Sequence, residues 1–136
     1  MFLSTKKNST MNFKIDTKEK FHVISLNESA FSANMTDKLR ELFVEVTQND
    51  VKHIILNLKA VQNLELPAAE FLLKQQQQFY AAGCSFVVCE IQLPVKEMLK
   101  KQDLFDLLNI TPTESEAWDI VQMEEVEREL LGGEDS

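Results

Sequence analysis

Few side chains in this sequence are of the types that carry out acid–base, nucleophilic or metal chemistry. His22 and His53 are the only histidines, and no acidic residue or cysteine stands at a ligand-like spacing from either of them. Cys84 and Cys89 lie five positions apart in an apolar strand-like run, which directs their side chains to opposite faces. We therefore expect no metal site and no disulfide between these cysteines, and we interpret both thiols as small buried side chains.

The common motifs of catalytic and nucleotide-binding sites are absent as well. Three glycines in the whole chain leave no GxGxxG sequence and no P-loop, and there is no GxSxG elbow. Neighbouring carboxylates such as Glu124 and Glu125 are interpreted as exposed helix residues. The sequence thus predicts a protein that is not an enzyme and binds no cofactor. An enzyme would need a deep polar pocket around His22 or His53.

The composition is that of a globular domain with an excess of acidic residues. The chain has 136 residues, 44% of them hydrophobic, and a net charge of −8. This suits one domain with one core and disfavours binding to nucleic acid. No apolar run is long enough to cross a membrane, so we expect no membrane insertion and a cytoplasmic location. We divide the chain into a flexible leader (1–10), a folded domain (11–123) and an acidic C-terminal helix end and tail (124–136).

Hydrophobic periodicity predicts alternating strands and helices. The predicted strands lie at 12–16, 21–26, 51–58 and 85–90, with a short edge strand at 109–111. The predicted helices begin at the cap residues Asn34 and Thr113 and near Pro67 and Pro94, and the second of the four ends at Gly83. The order β-β-α-β-α-β-α-(β)-α indicates an antiparallel pair followed by right-handed parallel crossovers. We therefore predict an α/β fold, a single domain with a mixed four- to five-stranded sheet and helices packed on it. Gln75 to Gln78, in the middle of the second helix, are predicted to lie on its solvent face.

The element order and the segment "HIILNLKAVQNLELPAAEFLL" resemble the STAS domain, the fold of bacterial anti-sigma factor antagonists. The family pattern is an apolar strand ending in Asp-Leu, a short loop, then Asp-Ser-Ser-Gly leading into a helix with a following leucine. Asn57-Leu58 matches the Asp-Leu, and Leu72 matches the helix leucine. Between them, the acidic position, the phosphorylated serine, the second serine and the glycine are taken by Glu65, Leu66, Pro67 and Ala68.

The resemblance implies a function in protein binding, with one departure. Family members bind an anti-sigma factor that is also a serine kinase, and phosphorylation of the serine at the helix start breaks that complex by adding charge within the contact surface. Leu66 replaces that serine, and no Ser or Thr lies anywhere from Gln48 to Cys84. A substitute acceptor would have to come from the neighbouring loop, which contains Ser29, Ser32 and Thr36.

Two functional hypotheses follow from the resemblance. The first is a non-enzymatic protein-interaction module that binds an anti-sigma factor, a serine kinase or a related signalling assembly without the usual serine switch. Its predicted contact residues are Asn63, Leu64, Glu65, Leu66, Pro67, Ala68, Ser29 and Ser32. The alternative is a structural or accessory STAS subunit of a stress-signalling or membrane-transport complex, in which the acidic C-terminal segment with Leu130 and Leu131 is a docking tail. The sequence leaves open whether Leu66 is buried or exposed, and it does not define the oligomeric state.

Overall fold

The computed structural model of the protein describes the backbone of residues 11–135 and the side chains of residues 11–131. The leader predicted at residues 1–10 lies outside the described residues. Strands and helices alternate along the described chain. The strands are β1 (Phe13–Thr17), β2 (Phe21–Leu26), β3 (Ala30–Phe31), β4 (His53–Asn57), β5 (Asn63–Leu64), β6 (Phe86–Cys89) and β7 (Ile110–Thr111). The α-helices are α1 (Thr36–Val46), α2 (Leu66–Ala81), α3 (Leu93–Lys101) and α4 (Glu114–Asp135).

Five of the strands form one mixed sheet in the order β1-β2-β4-β6-β7. The strands β1 and β2 pair antiparallel, with Phe13 opposite Leu26, whereas β2, β4, β6 and β7 pair parallel. The central strands β4 and β6 are buried almost throughout, as expected of apolar strands that are covered on both faces. The predicted mixed sheet with parallel crossovers is confirmed.

Helices pack on both faces of this sheet. Alternate residues of each strand point to opposite faces, and the two sets belong to two separate clusters of buried side chains. In the larger cluster α1, α2 and α3 contribute Leu39, Leu72 and Leu99. In the smaller cluster α4 contributes Ala117 and Val121. The sheet therefore separates α4 from the other three helices.

Aromatic rings hold the α1–α2 side of the core together. The buried ring of Phe43 in α1 has its centroid 6.2 Å from Phe71, 6.2 Å from Phe79 and 5.5 Å from Phe86. These spacings fall within the range of favourable aromatic pairs. One side chain of α1 thus contacts α2 at two points and the central strand β6 at a third.

The segment between β2 and α1 differs from the prediction. The sequence predicts a loop up to a helix cap at Asn34, but β3 lies within that loop and pairs parallel with β5. A 3₁₀ turn, Ala33–Met35, follows, and α1 begins only at Thr36. Strands of two residues carry no readable periodicity, so the sequence pattern gives no sign of them.

The helix α2 confirms its predicted ends but not its predicted polar face. Pro67 lies in its first turn, and Gly83, with φ +79°, adopts the left-handed conformation expected just past a helix end. Gln75 is nevertheless buried, with 4% of its surface exposed. The Gln76 amide donates to Leu107 O (3.0 Å), and its carbonyl accepts from the backbone N–H of Asn109 (2.6 Å). The solvent-face prediction is therefore wrong for both residues: the chain after α3 returns across the helix at Gln76, whereas Gln75 lies on the side of α2 that faces Phe43 and Val44 of α1.

The last helix is longer than the apolar pattern indicates. It begins after Thr113, whose Oγ1 accepts the backbone N–H of Glu116 (3.2 Å), as the predicted cap requires. The pattern of inward residues ends near Met123, yet the helix continues to Asp135. The predicted acidic C-terminal segment, 124–136, is thus helical over 124–135.

Candidate functional site

The strand pair β3–β5 brings together the two segments that were predicted to form a contact surface. The backbone N–H groups of Gln62 and Asn63 both donate to Ser29 O, at 2.8 and 3.0 Å. One residue before α2, the N–H of Glu65 donates to Phe31 O at 3.0 Å. Because these bonds join backbone to backbone, the start of α2 and the loop after β2 form one continuous surface.

The side chain of Glu65 also joins the start of α2 to the loop after β2. Glu65 occupies the N-cap position of α2, but its side chain does not cap that helix. Instead, Glu65 Oε1 accepts the backbone N–H of Ala33, at the start of the 3₁₀ turn, at 2.8 Å. The carboxylate therefore satisfies a free donor at the start of a neighbouring turn and fixes that turn against α2.

The predicted contact residues divide into exposed and buried groups. Leu64 and Ala68 belong to the core, with 4% and 0% of their surfaces exposed. Leu66 has 37% of its surface exposed, which decides the question that the sequence leaves open. The residues that reach the surface are Asn63, Glu65, Leu66, Pro67 and Ser29, together with the half-buried Ser32. An exposed apolar side chain therefore stands at the start of α2.

The loop hydroxyls that could replace the missing serine lie beside this surface. Thr36 Oγ1 donates to Ala33 O at 2.9 Å, and Ser32 Oγ is hydrogen-bonded to Asn34 Oδ1. Ser29 is exposed, and its carbonyl accepts the two hydrogen bonds from the backbone N–H groups of Gln62 and Asn63. Thr36 and Ser32 therefore make the local bonds expected of turn residues.

Other polar residues at this end of the sheet hold loops in place. Asn57, where the family has its strand-end aspartate, accepts the N–H of Lys59 (2.9 Å) and donates to Glu114 Oε1 (3.2 Å). Glu90 adopts a left-handed conformation with φ +61°, and its carboxylate accepts the backbone N–H of Glu114 at 2.8 Å. These long-range contacts of Glu90 and Asn57 have no sequence signal, because they join residues far apart in the chain.

Both histidines have structural partners. His22 lies between Thr17 Oγ1 (2.9 Å) and Val51 O (2.9 Å). His53 Nδ1 accepts the backbone N–H of Ser85 at 2.9 Å, and its Nε2 faces a carboxylate oxygen of Glu125 at 3.4 Å. Burial lowers the pKa of His53 below its usual value, although the neighbouring Glu125 acts in the opposite direction.

The neighbouring carboxylates of α4 are not the exposed helix residues that the sequence predicts. Glu124 accepts hydrogen bonds from Ser85 Oγ (2.6 Å) and Asn109 Nδ2 (3.2 Å). Glu125 accepts one from Lys20 Nζ (3.0 Å) in addition to its contact with His53. Both are partly buried because this side of α4 faces the strand starts, so the prediction for them is wrong.

The remaining reactive side chains are the two cysteine thiols and the groups that could bind a metal ion. Cys84 and Cys89 are both free, and burial raises the pKa of Cys89 to about 12. Cys84 is only partly buried, unlike the prediction. Within residues 11–131, no three His, Cys, Asp or Glu side chains are grouped so that they could hold a metal ion.

The protein is therefore a single-domain α/β protein. Its mixed sheet has three helices on one face and a fourth on the other, and the start of α2 is exposed. The family model for the STAS domain matches residues 12–117. The chain belongs to the STAS domain family, which confirms the resemblance inferred from the sequence.

Solved structures agree with this assignment at the level of the fold. The anti-sigma factor antagonist SpoIIAA in its unphosphorylated form is 18% identical, with a TM-score of 0.66 over 82% of this chain and 96% of that chain. An anti-sigma factor antagonist from Mycobacterium paratuberculosis is 13% identical, with a TM-score of 0.68 over 87% and 99%. The murine anion transporter Slc26a9 matches at 13% identity and a TM-score of 0.62, over 76% of this chain but only 18% of the transporter. No helix within residues 11–135 is long and apolar enough to cross a membrane.

Proposed function

We propose that this protein is a non-enzymatic interaction module of the cytoplasm that binds an anti-sigma factor, a serine kinase or a related regulator through the start of α2. The observation that carries the proposal is the exposure of Leu66 on a surface built from two segments. The solved antagonists share the fold, which supports the class of partner.

The exposed part of Leu66 limits how much free energy this side chain can contribute to binding a partner. Complete burial of a leucine side chain is worth about 1.5–3 kcal/mol, and 37% of the surface of Leu66 is still exposed. Covering the exposed part of Leu66 is therefore worth about 0.6–1.1 kcal/mol, or roughly a three- to sixfold change in affinity. Leu66 cannot accept a phosphate, so the contact that it makes is not switched by serine phosphorylation at this position.

The proposal is tested with the anti-sigma factors of the native cell, each purified and titrated against the full chain. We expect one of them to bind one to one, Leu66→Ala to weaken binding three- to sixfold, and Leu66→Asp to weaken it more than tenfold by burying a charge. Val44→Asp is the matched control, because Val44 is an exposed apolar residue of α1 outside this surface. Equal affinities for Leu66→Asp and Val44→Asp would show that the start of α2 is not the contact.

The absence of the usual switch has a separate test. After incubation with the bound kinase and ATP, mass spectrometry should find residues 61–69 unmodified. Stoichiometric phosphate on any Ser or Thr would contradict the unswitched mechanism. Phosphate on Ser29, Ser32 or Thr36 would identify the substitute acceptor in the loop that pairs with β5.

The second candidate function is that of a structural or accessory subunit in a stress-signalling or membrane-transport complex. It is favoured by the continuation of α4 as a helix to Asp135, and by the presence of the same fold as a small part of Slc26a9. The Leu66→Asp variant separates the two functions. Assembly into a larger complex that persists in this variant would favour the accessory role.

A further inference from the structure

The outer side of α4 carries an apolar stripe. Met123, Val126 and Leu130 follow one another at i, i+3 and i+7, the spacing that places side chains along one face of a helix. Their exposed fractions are 57%, 54% and 66%. Leu130 comes nine residues after the buried Val121, which is about two and a half helical turns. The stripe therefore lies opposite the side of α4 that packs on the sheet.

The side of α4 that faces the sheet is covered by contacts within the protein itself. Its polar contacts near the strand starts are made by Glu124, Glu125 and Arg128, the last of which donates to Ser85 Oγ at 2.8 Å. Beyond Arg128 the helix continues for seven residues to Asp135, a length of about 10 Å. The stripe thus lies on a helix whose opposite side is bonded to the strand starts through Glu124, Glu125 and Arg128.

The charge of the protein is concentrated on this helix. Residues 114–135 contain nine of the 22 acidic residues but only one of the 14 basic residues, Arg128, which gives a net charge of −8. The remaining 13 acidic and 13 basic residues cancel. The apolar stripe is therefore flanked by carboxylates, including Asp119, Glu127 and Glu129.

We propose that the outer side of α4 docks as a helix into an apolar groove of a partner protein whose rim carries lysine and arginine residues. The spacing of the three apolar side chains is that of helix-in-groove recognition, and the flanking carboxylates require a basic rim. A second copy of the chain is a poor occupant of this face, because two α4 helices would bring net charges of −8 against each other. This surface is independent of the start of α2.

The experiment starts with a photo-crosslinking residue placed at position 130 of the full chain in the native cell, and at position 44 in a parallel sample. We expect one protein to crosslink at 130 and not at 44. That protein is then purified and titrated against variants. Val126→Asp should weaken binding at least tenfold, whereas Val44→Asp should change it less than twofold, since Val126 and Val44 have nearly equal exposure, 54% and 56%. Circular dichroism of both variants confirms that they are folded.

Salt and charge reversal test the proposed rim. Raising NaCl from 50 to 300 mM should weaken binding severalfold, because the attraction between opposite charges is screened, and Glu127→Lys with Glu129→Lys should weaken it further. Three results would overturn the proposal: no crosslink at 130 above that at 44, a crosslink only to a second copy of the chain, or equal effects of Val126→Asp and Val44→Asp. Leu66→Asp should leave the crosslink at 130 intact, so this proposal and the function proposed for the start of α2 can fail separately.

Discussion

Replacing Glu65 with alanine tests whether one carboxylate fixes the two halves of the proposed contact surface. The change removes the acceptor for the backbone N–H of Ala33, 2.8 Å away, and a negative charge from the N-terminus of α2. An exposed hydrogen bond to a charged group contributes about 0.5–1.5 kcal/mol, and the charge at the helix start about 0.3–1 kcal/mol. We therefore expect Glu65→Ala to lower the free energy of unfolding by about 1–2 kcal/mol.

The assay combines urea unfolding with hydrogen exchange of individual amides. The Ala33 amide should lose protection in Glu65→Ala, while the amide of Asn63, which bonds to Ser29 O, should keep most of its protection. Glu65→Gln retains an oxygen acceptor and should show about half of the loss. Glu70→Ala, at an exposed glutamate one turn further along α2, is the matched control and should change the free energy of unfolding by less than about 0.5 kcal/mol. If Glu65→Ala matched Glu70→Ala in both measurements, the role assigned to the carboxylate would be refuted.

Three further predictions concern the rest of the fold. Burial lowers the pKa of His53 in the folded protein, so the imidazole of the unfolded chain is protonated first as the pH falls below about 6.5. The free energy of unfolding should therefore decrease from that pH down to the lower pKa of the folded state, by at most about 1.4 kcal/mol per pH unit. Urea unfolding at pH 7.5 and 5.5 should show this loss in the wild type, and a His53→Asn variant with the same pH dependence would contradict it. Phe43→Ala removes three aromatic contacts and should cost about 3–5 kcal/mol in the same assay; a loss below about 1 kcal/mol would mean that the ring is not a core contact. In the native protein at pH 8, iodoacetamide should modify the partly exposed Cys84 and spare Cys89, whose pKa is raised to about 12; rapid modification of both thiols would be inconsistent with the burial of Cys89.

The features predicted from sequence are those with a local cause. β2 has the predicted bounds, Phe21–Leu26, because its apolar run stands between two polar segments. Pro67 and Gly83 mark the ends of α2 because their own backbone preferences favour a helix start and a left-handed helix end. The antiparallel pairing of β1 with β2 and the parallel pairing of the later strands are predicted from the short turn and the helical crossovers in the element order.

The features that the sequence pattern missed depend on contacts between distant segments. The pairing of β3 with β5 involves only two residues in each strand, too few to show a period. Gln75 and Gln76 have the composition of a solvent face, but Gln75 faces α1 and Gln76 bonds to the chain that returns after α3. For the candidate site, the sequence located Leu66 at the helix start, but its exposure and the bond from Ala33 to Glu65 required the structure.

The direction of α4 relative to the parallel strands has a consequence for how partners could be arranged. The helix begins beside Asn57 and Glu90, at the carboxyl ends of β4 and β6, and passes Ser85 near their amino ends. Its last turns and the start of α2 therefore lie at opposite ends of the sheet, and α4 alone is about 33 Å long. A protein bound to the end of α4 would leave the start of α2, with the exposed Leu66, uncovered at the other end of the sheet, so one molecule has two separate surfaces for two different partners.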